Sequence, residues 1–179
     1  SMLFLPKFDV EQIVRLLPRA TVMMGVPTFY TRLLQQPALR HELVRNVRLF
    51  VSGSAPLLAE THREFQARTG HAILERYGMS ETLMNTSNPY RGERIPGSVG
   101  PALPGVGVRI ADPDSGQPLL DADAIGMIEV RGPNVFSRYW RMREKPPAEF
   151  RQDGFFITGD LGKRDAGGYI YIVGRGKDL

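Results

Sequence analysis

Cysteine is missing from all 179 residues, which excludes disulfides, thiolate metal sites and a cysteine nucleophile and fits a reducing, cytoplasmic setting. Histidine is scarce: His41, His62 and His71 stand at no metal-ligand spacing, so nothing points to a structural zinc site. Long apolar runs are lacking too. Val22 to Val26 and Leu49 to Val51 fall far short of the ~20 residues a membrane span needs. The opening Ser1-Met2-Leu3-Phe4-Leu5-Pro6 has neither the charged region nor the long apolar region of a signal peptide. Lysine is rare, with 4 residues against 19 arginines, and the net charge of +4 divides as +3 over 1–90 and +1 over 91–179. No basic stripe results, so neither a nucleic acid nor a membrane is the expected partner.

What is present is ordinary globular material, 42% hydrophobic and 23% charged, of a length suited to one or two domains. Both ends look cut. The chain opens on a β-prone apolar stretch and stops just after a strand and a charged turn, where domains usually finish on dispensable polar residues. The expectation is a fragment.

Glycine divides the chain, with 4 residues in 1–90 and 15 in 91–179. In the first half, Asp9 and Gln12 form a variant capping box ahead of a Val10, Ile13, Val14, Leu17 stripe that Pro18 ends. Short strands are predicted at Ala20–Met24, Val47–Val51 and Ala72–Tyr77, alternating with helices over Thr28–Gln35 and Leu58–Thr69, the latter stopped by Gly70. That alternation implies parallel α/β units. After Pro96 the pattern changes to strands near Gly107–Ala111, Met127–Arg131, Phe155–Thr158 and Tyr169–Val173. Turns at Asp112–Gly116 and Asp165–Gly168 separate them. The fold class is therefore α/β followed by a β-rich, barrel-like subdomain. Residues 1–95 carry part of the α/β subdomain, 96–174 the β-rich subdomain, and 175–179 a hinge.

Ligand-binding turns in parallel α/β sheets lie beyond the carboxyl ends of strands. Two qualify. Ser52-Gly53-Ser54-Ala55-Pro56 follows one strand, and Tyr77-Gly78-Met79-Ser80-Glu81-Thr82 follows another. Small residues admit a flat ligand close to the backbone, and Tyr77 offers a stacking ring. The Ser80 hydroxyl suits a phosphate oxygen, and the Glu81 carboxylate suits Mg²⁺. Asp160, in Thr158-Gly159-Asp160 at a strand end, can accept from both hydroxyls of a ribose, or simply close an Asx turn. Arg175, among the glycines of Gly174-Arg175-Gly176-Lys177-Asp178, suits ribose or phosphate oxygens. Gly97, Gly100 and Gly105, with Pro101 and Pro104, shape a turn. Together these groups supply every contact an adenosine monophosphate moiety needs.

In order and separation, Ser52–Leu57, Tyr77–Glu81, Gly97–Pro101, Thr158–Asp160 and Gly174–Asp178 resemble the adenylate-forming superfamily. That superfamily includes acyl-CoA synthetases, luciferases and peptide-synthetase adenylation domains. Met24–Tyr30 and Met84–Tyr90 resemble bacterial malonyl-CoA synthetases. The resemblance implies that Gly53, Ser54, Ala55 and Pro56 line the adenine and acyl pocket, next to Gly78 and Met79. It implies that Tyr77 stacks on adenine, Ser80 meets the α-phosphate, Glu81 holds Mg²⁺, and Asp160 grips the ribose with Arg175. Lys177 would be the hinge to a C-terminal domain. Ser80 stands where threonine is common, Ser54 where glycine is frequent, and Lys177 where some members have aspartate. A phosphate loop would precede Ser1 and a catalytic lysine would follow Leu179, so residues 1–179 are expected to be inactive alone. The implied reaction joins a small carboxylate, malonate foremost, to CoA at the expense of ATP. Arg63 is the candidate partner for malonate's second carboxylate, with a surface pair to Glu60 or Glu64 as its alternative. Met84 is the candidate cap of the acyl pocket, or plain core. An aryl-CoA ligase, an amino-acid adenylation domain and a non-catalytic nucleotide-binding module remain the alternatives.

Overall fold

A computed structural model describes residues 2–141 and 149–176 of the chain. They fall into two units, Ser1–Glu75 with Pro89–Gly97, and Arg76–Asn88 with Ser98–Leu179. The division differs from a cut near residue 95, because the chain leaves the first unit within a strand and re-enters it for nine residues.

The first unit begins with α1 (Val10–Leu16), where Asp9 Oδ1 accepts the Gln12 N–H at 3.0 Å as the capping pattern requires. Pro18 ends the α-helix without stopping the coil, since a 3₁₀ turn over Leu17–Arg19 accommodates it near the start. Then follow β1 (Val22–Gly25), α2 (Pro27–Leu34) with proline at its first position, a short α3 (His41–Val44), β2 (Leu49–Ser52) and α4 (Ala59–Thr69). Gly70 closes α4 in the left-handed conformation at φ 78°. The strand β3 (Leu74–Met79) contributes its first two residues here, and β1, β2 and β3 pair in parallel. Each strand begins two residues later than its sequence suggests. The apolar residues just ahead, Val47 and Ile73 among them, are buried in the core instead of paired in the ladder.

That core centres on Tyr30, Phe50 and Phe65, whose rings meet edge to face at 4.9 to 6.4 Å. The Tyr30 hydroxyl donates to the Val51 carbonyl at 2.6 Å. Beneath α4, the buried Glu75 carboxylate lies 3.2 Å from His62 Nδ1 and accepts the Gly97 N–H at 3.2 Å.

In the second unit the rest of β3 pairs antiparallel with β4 (Leu83–Ser87), a strand the sequence reading lacks. A separate sheet of β5 (Gly107–Ala111), β6 (Gly126–Arg131), β7 (Phe156–Arg164) and β8 (Ile170–Arg175) runs as an antiparallel meander. The β-rich character is as expected. Closure is not: the order β5-β6-β7-β8 leaves β5 and β8 as edges among the described residues, so the sheet is open and no barrel forms. Its buried face carries Ile110, Ile128, Val130 and Ile170, packed with Tyr77 and Val99. Glu129, fully buried, lies between Arg109 and Arg151 at 2.8 Å each.

The Gly97–Pro101 motif is structural. Gly97, Gly100 and Gly105 all have φ between 80° and 82°, as turn residues. A Cβ on Gly100 would lie 2.0 Å from the Ser87 backbone, so no other residue fits there. No helix among the described residues is long and apolar enough to cross a membrane.

Candidate functional site

Each implied side chain is placed by its own strand or turn. In the first unit, β2 delivers Ser52 and Gly53 buried, then turns through Ser54 at φ 70° with Ser54, Ala55 and Pro56 exposed. A serine in the left-handed region is uncommon. Arg63 stands on the exposed face of α4, opposite the buried Thr61, His62, Phe65 and Thr69. Its suggested neighbour Glu64 instead pairs with Arg68 at 3.8 Å.

In the second unit, Tyr77, Gly78 and Met79 are strand residues of β3, and only Ser80 to Thr82 form the turn. Thr158-Gly159-Asp160 likewise does not end a strand. β7 runs on to Arg164, and Gly159 at φ 79° kinks it locally. The kink is where three of the implied side chains meet. The Tyr77 hydroxyl donates to Asp160 Oδ2 at 2.6 Å, and Arg175 Nη1 lies 3.2 Å from Asp160 Oδ1. Asp160 is therefore no free Asx turn. Thr158 fixes its backbone, for Thr158 Oγ1 accepts the Asp160 N–H at 3.1 Å and donates to the Ile128 carbonyl at 2.8 Å. Arg175 also reaches the Thr158 carbonyl at 3.3 Å, and Gly176 N–H closes on Gly159 at 2.9 Å. Tyr77, Asp160 and Arg175, separated by 83 and 15 positions along the chain, thus meet in one cluster. Burial, then the Asp160 charge and hydrogen bond, hold the Tyr77 hydroxyl well above its ordinary pKa, so it remains a donor.

The turn after β3 depends on Gly78, where a Cβ would sit 1.9 Å from the Leu83 carbonyl oxygen. It presents the exposed Ser80 and the half-buried Glu81, whose Oε1 lies 3.4 Å from the Tyr139 hydroxyl. Burial, then the Glu81 charge, raise the Tyr139 pKa. Met84 is half-buried on β4 opposite Gly78, with its sulfur 3.4 Å from Arg76 Nη1. Arg76 and Met84 share one face of the hairpin. Lys177 lies outside the described residues.

Sequence reasoning missed Arg76, Thr158, Asn134 and Tyr139. Arg76 had a signal, a cation directly before the Tyr77 motif. Thr158 stood in the quoted Thr158-Gly159-Asp160 motif but was given no role, although it accepts from Asp160 two positions on, whereas Asn134 and Tyr139 act through contacts about fifty or more residues away.

A family model described as AMP-binding enzyme matches residues 1–140. The chain belongs to that family. Among its relatives, a malonate–CoA ligase of Arabidopsis thaliana is 40% identical across 96% of this chain and 31% of its own length. A probable CoA ligase of Humulus lupulus is 41% identical over the same share of each. The ATP-bound MatB of Rhodopseudomonas palustris is 68% identical and superposes with a TM-score of 0.94, covering 98% of this chain and 35% of MatB. A malonyl-CoA ligase with methylmalonyl-CoA and AMP bound is 44% identical at a TM-score of 0.82, over 94% of this chain and 37% of that one. The chain spans about a third of the length of the relatives it matches.

Proposed function

We propose that a full-length protein carrying this chain is an acid–thiol ligase that adenylates malonate and passes the malonyl group to CoA. The observation that carries the reading is the convergence of Tyr77, Asp160 and Arg175 in one cluster. A carboxylate beside a fixed cation matches the two hydroxyls of a ribose, and Tyr77 supplies the adjoining ring. The AMP-binding relatives with bound ATP or AMP support that assignment.

The chemistry is two displacements. A malonate oxygen attacks the α-phosphorus of ATP and pyrophosphate leaves; the CoA sulfur then attacks the acyl carbon and AMP leaves. A weak nucleophile meets an anionic centre, so catalysis rests on positioning and on opposing charge. Ser80 would meet the α-phosphate, and Gly53, Ser54, Ala55, Pro56, Gly78 and Met79 would line the adenine and acyl pocket. The described residues hold no group of three or more His, Cys, Asp or Glu that could cage a metal. One half-buried Glu81 carboxylate fits Mg²⁺, which is held mostly by phosphates and water and neutralises phosphate charge when bound. Lys177 would be the hinge of a rotating C-terminal domain, and the freedom from cysteine fits a cytoplasmic enzyme.

The second carboxylate of malonate needs a cation, because an unpaired anion is costly to bury. Arg63 is one candidate, on an exposed face. Arg76 is the other, half-buried beside Met84, the proposed cap of the acyl pocket. A cation on that face favours a diacid over an amino acid. Pyrophosphate exchange with malonate, propionate, benzoate and amino acids tests the reading, and the expected order puts malonate first by at least tenfold. An amino acid in first place overturns it. In the same assay Arg63→Ala and Arg76→Ala separate the two cations: the partner's loss raises the KM for malonate and leaves the KM for ATP in place.

A further inference from the structure

We infer that Asn134 is a positioning residue that fixes the turn carrying Glu81, an inference that rests on the reading of Glu81 as the Mg²⁺-binding carboxylate. The turn is held only in part by its own backbone. Leu83, which follows it as the first residue of β4, sits at φ 53°, a conformation that β-strand entry and a leucine side chain both resist. Within the turn, the Thr82 N–H reaches the Met79 carbonyl at 3.2 Å, and the Glu81 and Thr82 carbonyls take donors from outside it.

Those donors come from a segment some fifty residues later. The Asn134 side-chain amide donates to the Thr82 carbonyl at 2.6 Å and lies 3.3 Å from both the Met84 carbonyl and Asn85 Oδ1. It therefore clamps the carbonyls on either side of Leu83. Two positions on, the Phe136 N–H donates to the Glu81 carbonyl at 2.8 Å, and Tyr139 then reaches the Glu81 carboxylate. One short stretch thus holds Glu81 by its backbone, its successor and its side chain.

The stretch is itself shaped for this. Val135 N–H closes on the Gly132 carbonyl at 3.1 Å, and Pro133 at the second turn position presets the backbone. A Cβ on Gly132 would come within 2.5 Å of Asn134 Oδ1, so glycine is what lets the amide fold back.

The test uses a full-length ligase carrying this chain, with Asn134→Ala and the isosteric Asn134→Asp, which turns a donor into an acceptor. Amide hydrogen exchange over residues 80–85 is expected to quicken by about fivefold, the factor one lost net hydrogen bond brings. The Mg²⁺ concentration for half-maximal pyrophosphate exchange is expected to rise severalfold while the KM for malonate stays in place. A merely structural asparagine would lower folded yield and kcat together and leave the Mg²⁺ midpoint unmoved. Unchanged exchange over residues 80–85, or an unmoved midpoint in variants whose turn has loosened, overturns the inference. Glu81→Gln is measured beside them. If it too leaves the Mg²⁺ midpoint in place, the reading of Glu81 is what fails, and hydrogen exchange still judges the clamp. Should neither Asn134 variant fold, exchange in the unaltered protein decides: a turn that exchanges far faster than β6 and β7 is not clamped.

Discussion

At the scale of single residues, the Tyr77 hydroxyl joins a proposed stacking ring to a proposed ribose-binding carboxylate, 2.6 Å from Asp160 in a largely buried setting. Tyr77→Phe keeps the ring and removes the donor, leaving a buried carboxylate oxygen short of a partner. The expected cost is about 1.5–3 kcal/mol in denaturant unfolding, the range for hydrogen bonds to charged groups. Discrimination of ATP against 2′-deoxy-ATP is expected to weaken more than the affinity for ATP itself, because the ring survives while the carboxylate's aim does not. pH gives a second handle. The folded state holds the Tyr77 proton more tightly than the unfolded chain does. The tyrosine's stabilising contribution is therefore complete below the phenol's unfolded pKa of about 10 and declines as pH rises beyond it. Urea midpoints measured from pH 9 upward should fall more steeply for the parent than for Tyr77→Phe. The candidate residues themselves were legible in the sequence because small, aromatic and carboxylate residues sit together in short motifs. Their mutual bond was not, because it spans 83 positions.

Elements were legible where apolar residues alternate with a regular period, and they were lost where the buried positions are polar. β5 has its expected bounds. β4 inverts the usual signal, for Leu83 is exposed while Asn85 and Thr86 are fully buried and the Thr86 hydroxyl donates to the Val99 carbonyl at 2.8 Å. A strand written with polar residues inward reads as a loop. β7 hides for a related reason: Thr158-Gly159-Asp160 has turn composition, yet the glycine only kinks a strand that continues past it. The β3–β4 hairpin makes its own prediction. A methyl group at Gly78 would stand 1.9 Å from the Leu83 carbonyl oxygen, between two backbones that cannot yield cheaply. Gly78→Ala should destabilise the second unit by more than the ~1–3 kcal/mol typical of overpacking, seen as a lower urea midpoint. At the core of the first unit, Phe65→Ala should cost about 3–5 kcal/mol by the same measurement, since the ring is fully buried against Tyr30 and Phe50.

For the molecule as a whole, the sequence indicated an α/β portion followed by a β-rich one, and both are present. Closure of the second sheet was not readable, because period and turn signals specify neighbouring strands and say nothing of whether the first meets the last. The chain spans about a third of the length of the ligases it resembles, and the proposed reading assigns the rest of the machinery to residues outside 1–179. Residues 1–179 alone are expected to give no malonate-dependent pyrophosphate exchange, and turnover by that piece would contradict the division of labour proposed above.

The buried Glu129, gripped by Arg109 and Arg151, has a consequence for how this protein can change over time. Losing either arginine still leaves the buried carboxylate one cation, but losing both strands an ion in the interior, at about 3–5 kcal/mol, whereas exchanging the whole set for packed apolar side chains is often harmless. The closed route is the one that removes both cations while Glu129 stays. Descendants of this lineage should never keep Glu129 after both arginines are gone, and a survey of natural variants that found it so stranded would contradict that.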